Sequence, residues 1–274
     1  YPLYEFARNV GGERVEVMSF IPVGVEPHDW EPNPSIIQQL KTAKVFIFIG
    51  GGFEPWADSL KGELNDVISV EIIEEFMASE EIELIKRGKN GFQEEHERGV
   101  INPHVWLDPI LAKHQVFMIE EALIEAEPAN AQYYEDNAKA YAAKLDTLDA
   151  KIRSELSNCE KDTIVSFHQA FVYFTKRYSL NEVTLSGLAP KAEASPVELA
   201  RLIDFAKSND IKVIYAEELV DSRLAEVLAK EVDAQVMILS PVEGLNEEET
   251  QKGLTYLEKM EQNLQNLKVG LECS

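Results

Sequence analysis

"EPANAQYYEDNAKAYAAKLDTLDAKIRSELS", residues 127–157, is the stretch on which the architecture turns. It is rich in Ala, Lys, Glu and Leu, and after Pro128 it contains neither Pro nor Gly. Its apolar and aromatic positions Tyr134, Ala138, Tyr141, Leu145, Leu148, Ile152 and Leu156 recur every three or four residues, the spacing of one helix face. At about 1.5 Å of rise per residue such a helix extends roughly 45 Å, the length of a two-lobed molecule. The segment therefore reads as a rigid backbone rather than a flexible linker.

On both sides of it, short apolar runs alternate with amphipathic stretches, the pattern of an α/β chain with mainly parallel sheets. Before it, "VEVMSFIP" (15–22), "KVFIFIG" (44–50) and "DVISVEI" (66–72) read as strands, with helices over 33–43 and 54–64. After it, strands are expected at 163–168, 183–188, 211–218 and 234–241, with helices over 195–209 and 222–232. Ser195, Pro196 and Glu198 form a helix start, a capping oxygen followed by Pro and an acidic first turn. The expected fold is thus α/β, two similar lobes joined by one long helix. The N-terminal lobe takes residues 1–126, the linking helix 127–157 and the C-terminal lobe 158–274, with the ligand in the cleft between. Residues 71–100 depart from this order: glutamates surround an "RGKNG" turn and His96, which reads as an acidic insertion.

Composition limits the function. The 274 residues include 49 acidic and 26 basic side chains, a formal net charge of −23. Such a field repels phosphate backbones, so nucleic acid is not expected as a partner, and it gathers cations. No apolar run reaches the roughly 18–20 residues that cross a bilayer. The chain opens at "YPLYEFARNV" without a start methionine, which points to a mature or trimmed chain and leaves export open. Cys159 and Cys273 are too far apart for a CxxC motif; one disulfide closing a long loop and two unrelated thiols both remain open.

Three of the five histidines share a setting. His28 lies in "VGVEPHDWEPNP" (23–34), where Pro27 and Pro32 limit backbone freedom; His104 lies in "INPHVWLDP" (101–109); His168 closes the run "TIVSFH" (163–168). All three follow strands or precede helices, where parallel sheets collect ligands. His96 falls in the acidic stretch, and His114 lies within a helix after Pro109, expected at a surface. Neutral imidazoles suit zinc, and a stable zinc site takes four ligands. Glu243 in "ILSPVEGL" (238–245) can supply the fourth donor, but Glu26, Glu217 and Glu218 stand near strand ends too. The carboxylates Glu26, Asp29 and Asp108 are candidates to hold the outer ring nitrogens. Trp30, Trp56 and Trp106 are candidates to wall the cleft. No HExxH, GxSxG or GxxxxGK[ST] motif is present, and Gly50, Gly51 and Gly52 read as a tight turn. A zinc hydrolase also needs an open coordination position, which three histidines and a glutamate would close.

Neighbouring members of the set are 76, 64 and 75 positions apart, so spacing cannot bring them together. The ordered motifs "GVEPHDWEPNP", "GGGFEPWAD", "NPHVWLDP", "SFHQAFVYFTKRYSL" and "SPVEGL" resemble those of the zinc- and manganese-binding solute-binding proteins of ABC transporters, across essentially the whole chain. The resemblance is to the zinc-binding branch, and it implies that His28, His104, His168 and Glu243 hold Zn2+ between two lobes. It further implies a non-enzymatic, monomeric receptor outside the cytoplasm, with a lipid anchor or in a periplasm, that delivers the ion to an ABC permease. Manganese-preferring relatives usually carry glutamate where this chain has His168; Mn2+ capture and metal-dependent surface adhesion are the alternative readings. Zinc-specific relatives often carry a histidine-rich loop where residues 71–100 are acidic. The family's first strand normally precedes "FYPLYEF", inside which this chain begins.

Overall fold

The computed structural model describes residues 1–64, 66–79, 101–184 and 196–274. The chain folds as an α/β molecule of two lobes whose strands pair in parallel. In the first part, α1 (Pro2–Gly11) and α2 (Pro34–Leu40) precede the strand β1 (Val45–Phe48). The helix α3 (Pro55–Leu60) then leads to β2 (Ile68–Glu71) and α4 (Ile72–Ala78). β1 and β2 are in register from Val45↔Ile68 to Phe48↔Glu71. The helices α5 (Pro109–Ala126) and α6 (Ala131–Glu155) pack against each other and against α1.

The second part carries β3 (Thr163–Ser166), α7 (Val172–Tyr178) and β4 (Asn181–Thr184), then α8 (Pro196–Ser208) and β5 (Val213–Ala216). It closes with α9 (Arg223–Val232), β6 (Gln235–Ile238), α10 (Glu247–Lys252) and α11 (Tyr256–Gly270). β3 pairs with β4 and β5 with β6, both in parallel, and β3 lies alongside β5. Each parallel pair is joined through a helix, as parallel strands require.

The long helix behaves as its periodicity predicts. α6 runs 25 residues, about 37 Å, and Tyr134, Ala138, Tyr141, Leu145, Leu148, Ile152 and Leu156 are all buried. It touches α5, α1 and α11. One apolar core runs from Phe6 and Ile49 through α6 to Tyr215, Leu239 and Tyr256, so the two halves share packing instead of meeting across a loose seam. Separate small clusters sit beneath α3 (Leu40, Phe46, Phe48) and beneath α8 and α9 (Leu202, Ile214, Leu228). Cys159 is disulfide-bonded to Cys273 and ties the end of α11 to the segment leaving α6.

Two expectations are corrected. Residues 15–22 form no strand: Val15 and Val17 are half-buried against the core while Glu16 and Met18 are exposed, yet the backbone of 15–20 bonds to no described residue. The alternation is that of an extended chain, but a strand also needs a neighbouring ladder. The acidic stretch does not begin at residue 71 either. Glu71 ends β2, and Ile72, Ile73 and Phe76 bury one face of α4. Their spacing outweighs the glutamates between them, which simply face outward. The remainder of that stretch, with His96, lies outside the described residues, as do Ser195 and the end of the strand expected at 183–188.

Candidate metal centre

His28 stands in a single 3-10 turn, Pro27–Asp29, entered through Pro27. The Glu26 carboxylate accepts a hydrogen bond from the His28 backbone N–H at 3.3 Å. Phe53 packs edge-on against the imidazole, ring centres 4.6 Å apart. The three glycines after β1 make this possible: Gly50, Gly51 and Gly52 have φ of 75°, 60° and 90°, a left-handed run that side chains with a Cβ resist. A Cβ on Gly50 would also lie 2.2 Å from the Glu71 carboxylate. Glu54 closes the turn by accepting from the Ile49 and Gly50 N–H groups at 3.2 and 3.0 Å.

His104 is fully buried before α5. The Asn102 side-chain oxygen accepts from the His104 backbone N–H and lies against ring Nδ1, both at 3.0 Å. Because that oxygen can only accept, Nδ1 carries the proton and Nε2 presents its lone pair. Asn102 is itself held across the cleft, donating to Gln169 O at 2.6 Å, while Tyr173 donates to Asn102 O at 2.8 Å.

His168 lies just past β3 and is fully buried. Its Nδ1 is 2.7 Å from Glu217 Oε1, on the chain leaving β5, and this carboxylate orients Nε2 inward. Buried Glu182 on β4 steadies the loop by accepting from Ser166 Oγ and the Phe171 N–H at 3.0 and 3.2 Å. Glu243, on the turn after β6, is 3% exposed.

These four side chains, distant in sequence, meet. Glu243 Oε1 lies 3.4 Å from His28 Nε2, 2.9 Å from His104 Nε2 and 3.5 Å from His168 Nε2; the last two nitrogens are 3.2 Å apart. One donor atom from each residue falls within 4.8 Å of all the others, and this is the one such group among the described residues. Tetrahedral zinc with ligands at ~2.0–2.2 Å places neighbouring donors about 3.3 Å apart, close to the four separations of 2.9–3.5 Å. Glu243 Oε2 and His28 Nε2 are buried without a hydrogen-bond partner, a costly state that a cation would relieve.

The site's protonation follows from its surroundings. Burial pushes the Glu243 carboxyl up, but the imidazoles of His104, His168 and His28 gathered around it outweigh this and hold it well below the usual range. Burial holds His104 down to about 3, so it is neutral. Burial also acts against the His168 proton, yet Glu217 and Glu243 on its two nitrogens outweigh it and lift the imidazole well above its ordinary value. Glu26 is pushed up to about 8 by burial and by the charge of Glu243.

The outer nitrogens are not held by the carboxylates expected. Asp29 is exposed, Asp108 caps α5 and pairs with Arg177, and Glu26 bonds a backbone amide. Neighbours in sequence are spent on local turns, and Asn102 and Glu217 take the role. Of the tryptophans only Trp106 touches the site, 5.1 Å from His104 between ring centres, with its N–H donating to Pro241 O at 2.8 Å. Trp30 and Trp56 meet edge to face, with Trp56 beside Phe46, and Phe53 supplies the wall instead. Phe53 was signalled only by its place after three glycines, and Asn102 by standing two residues before a histidine.

The family model described as zinc-uptake complex component A, periplasmic, matches residues 1–270. The chain is 38% identical over 280 residues to the high-affinity zinc uptake system protein ZnuA of Bacillus subtilis, covering 99% of this chain and 85% of that protein. It is 34% identical to the zinc-binding lipoprotein AdcA of Streptococcus pneumoniae, covering 98% of this chain but only 54%, about half, of that protein. The crystal structure of the Zn(II)-bound ZnuA-like domain of AdcA superposes with a TM-score of 0.84 at 33% identity, covering 99% of this chain and 96% of that one. The laminin-binding protein Lmb of Streptococcus agalactiae, described as having adhesin and metal transporting activity, superposes with a TM-score of 0.84 at 28% identity over 99% of this chain and 96% of that one.

Proposed function

We propose that this chain, which belongs to the zinc-uptake complex component A family, is an extracytoplasmic receptor that captures Zn2+ with His28, His104, His168 and Glu243 and passes it to an ABC permease. The observation that carries the reading is the convergence of three imidazole nitrogens and one carboxylate oxygen within 4.8 Å, each delivered by a different loop. Three nitrogens and one oxygen favour zinc over manganese in the divalent order, with copper and nickel excluded by supply rather than by affinity. The acidic surface draws cations toward the cleft, and the packed interior leaves the ion's coordination to side chains. The ion is cargo, so the receptor acts on it by binding alone. No helix among the described residues is long and apolar enough to cross a membrane; a lipid anchor and a monomeric state complete the proposal, as does division into lobes at 1–126 and 158–274 about the linking segment 127–157.

The reading is tested by metal analysis and chelator competition. One equivalent of Zn2+ should bind, out-competing Mn2+, and His28→Ala, His104→Ala and His168→Ala should each weaken it by more than the roughly 10- to 100-fold expected from losing an outer partner. Undiminished affinity in any of the three removes that residue from the ligand set. Metal-dependent adhesion is the second reading, favoured by the likeness to Lmb; binding to a laminin-coated surface that requires bound metal would support it.

A further inference from the structure

The turn that carries Glu243 is held from outside the site, by two polar side chains on α11. Lys259 and Asn263 are four residues apart, so they share a helix face, and each is 2% exposed. Asn263 holds the backbone of Ser240 on both sides of its Cα: its Oδ1 accepts from the Ser240 N–H at 2.8 Å and its Nδ2 donates to Ser240 O at 2.7 Å. Lys259 Nζ donates to Glu218 Oε1 at 2.7 Å and to Glu249. The same Glu218 oxygen accepts from Ser240 Oγ, and that hydroxyl in turn accepts from the Val242 N–H at 3.0 Å.

The turn needs this support. Val242 has φ of 57° and is fully buried, a left-handed conformation that is a true outlier for a β-branched residue and persists only when its surroundings over-determine it. Its neighbour Glu243 is the carboxylate ligand of the proposed site. On the other side, Glu218 follows Glu217, whose carboxylate orients His168. One buried ammonium therefore reaches the backbone next to Glu243 through Ser240 and the residue next to Glu217 through Glu218.

We infer that Lys259 and Asn263 are positioning residues of the metal centre, fixing Glu243 and His168 together by holding the Ser240–Glu243 turn against the Glu217–Glu218 pair. The inference rests on the zinc-binding reading above. It assigns to α11, which contributes no ligand, control over the geometry of two of the four. A buried ion pair is poor evidence of stability by itself, so its retention here is better accounted for by geometry.

The test compares Lys259→Met and Asn263→Ala with Leu267→Ala, a core truncation at a fully buried apolar residue one helical turn beyond Asn263. Zinc affinity is measured by chelator competition, and the ligand field by the visible absorption of bound Co2+. The expected result is a loss of about 10- to 100-fold in affinity and an altered Co2+ spectrum for both polar variants, with affinity and spectrum intact in Leu267→Ala. If Lys259→Met does not fold, Lys259→Met combined with Glu218→Gln removes the ammonium and the more deeply buried of its two carboxylate partners, leaving Glu249, and the same loss is expected of it. Wild-type affinity and spectrum in the polar variants, or an affinity loss in Leu267→Ala matching theirs, overturns the inference. Failure of the wild-type chain to bind zinc would instead overturn the proposed function.

Discussion

Zinc capture should release a proton, and Glu217 should decide at which pH. In the metal-free chain His168 is fully buried, with Glu217 Oε1 2.7 Å from Nδ1 and Glu243 Oε1 3.5 Å from Nε2. Burial opposes its charge, but the two carboxylates prevail and raise its pKa well above 6.5. His104, with an amide and not a carboxylate on its outer nitrogen, is held down to about 3 and is ready to bind. A metal held as proposed takes the Nε2 lone pair of His168, so the proton must leave. Below the raised pKa, each unit of pH should weaken zinc affinity about tenfold, ~1.4 kcal/mol, so that a fall from pH 8 to 6 costs up to about 100-fold. Glu217→Gln keeps an acceptor for Nδ1 but removes its charge. His168 should then lose its proton at lower pH, the affinity profile should flatten between pH 6 and 8, and fewer protons should appear at pH 7. Isothermal titration in buffers of different ionisation enthalpy counts them directly. About one proton per zinc is expected from the wild type at pH 7, and fewer from the variant. Equal release from both proteins, or none from the wild type, would refute the assignment of the proton to His168.

Other expectations follow from the same structure. Without metal, stability should fall as pH rises from 6 through 8. A histidine raised in the folded state contributes stability below its unfolded pKa and loses it as pH climbs through the folded one, and the raised carboxyls Glu26, at about 8, and Glu182, at about 7, act in the same direction. A denaturant midpoint that rises over that range would contradict this. The Cys159→Ser/Cys273→Ser variant opens a loop with a sequence separation of 114. The loop-entropy relation puts that near 4–5 kcal/mol, and at ~2.1 cal/mol/K of unfolding entropy per residue the Tm should drop by about 8 °C; a melting curve unchanged by the substitution would show the bridge to be idle. Because one core runs through α6 into both halves, solution scattering should record no change in radius of gyration on adding zinc, and a clear contraction would argue for a hinge.

The local elements, and the places where chemistry could sit, are legible in the residue pattern. Hydrophobic period is written residue by residue, so the α6 face from Tyr134 to Leu156 and the parallel strands around it were legible, as were the stiff, proline-flanked settings of His28 and His104. The period failed where pairing mattered. Residues 15–20 alternate like a strand but have no ladder beside them among the described residues, and α4 was hidden under glutamates that face outward. Which carboxylate among Glu26, Glu217, Glu218 and Glu243 meets all three imidazoles is a matter of how the chain packs, and it is Glu243. Packing also decides that Glu217 and Asn102, rather than Asp29 or Asp108, set the histidine tautomers, and that Lys259 and Asn263 hold the Glu243 turn from α11. The reason is that a hydrogen bond or a shared ligand position depends on distances of a few ångströms between segments far apart along the chain, and no local pattern encodes such distances.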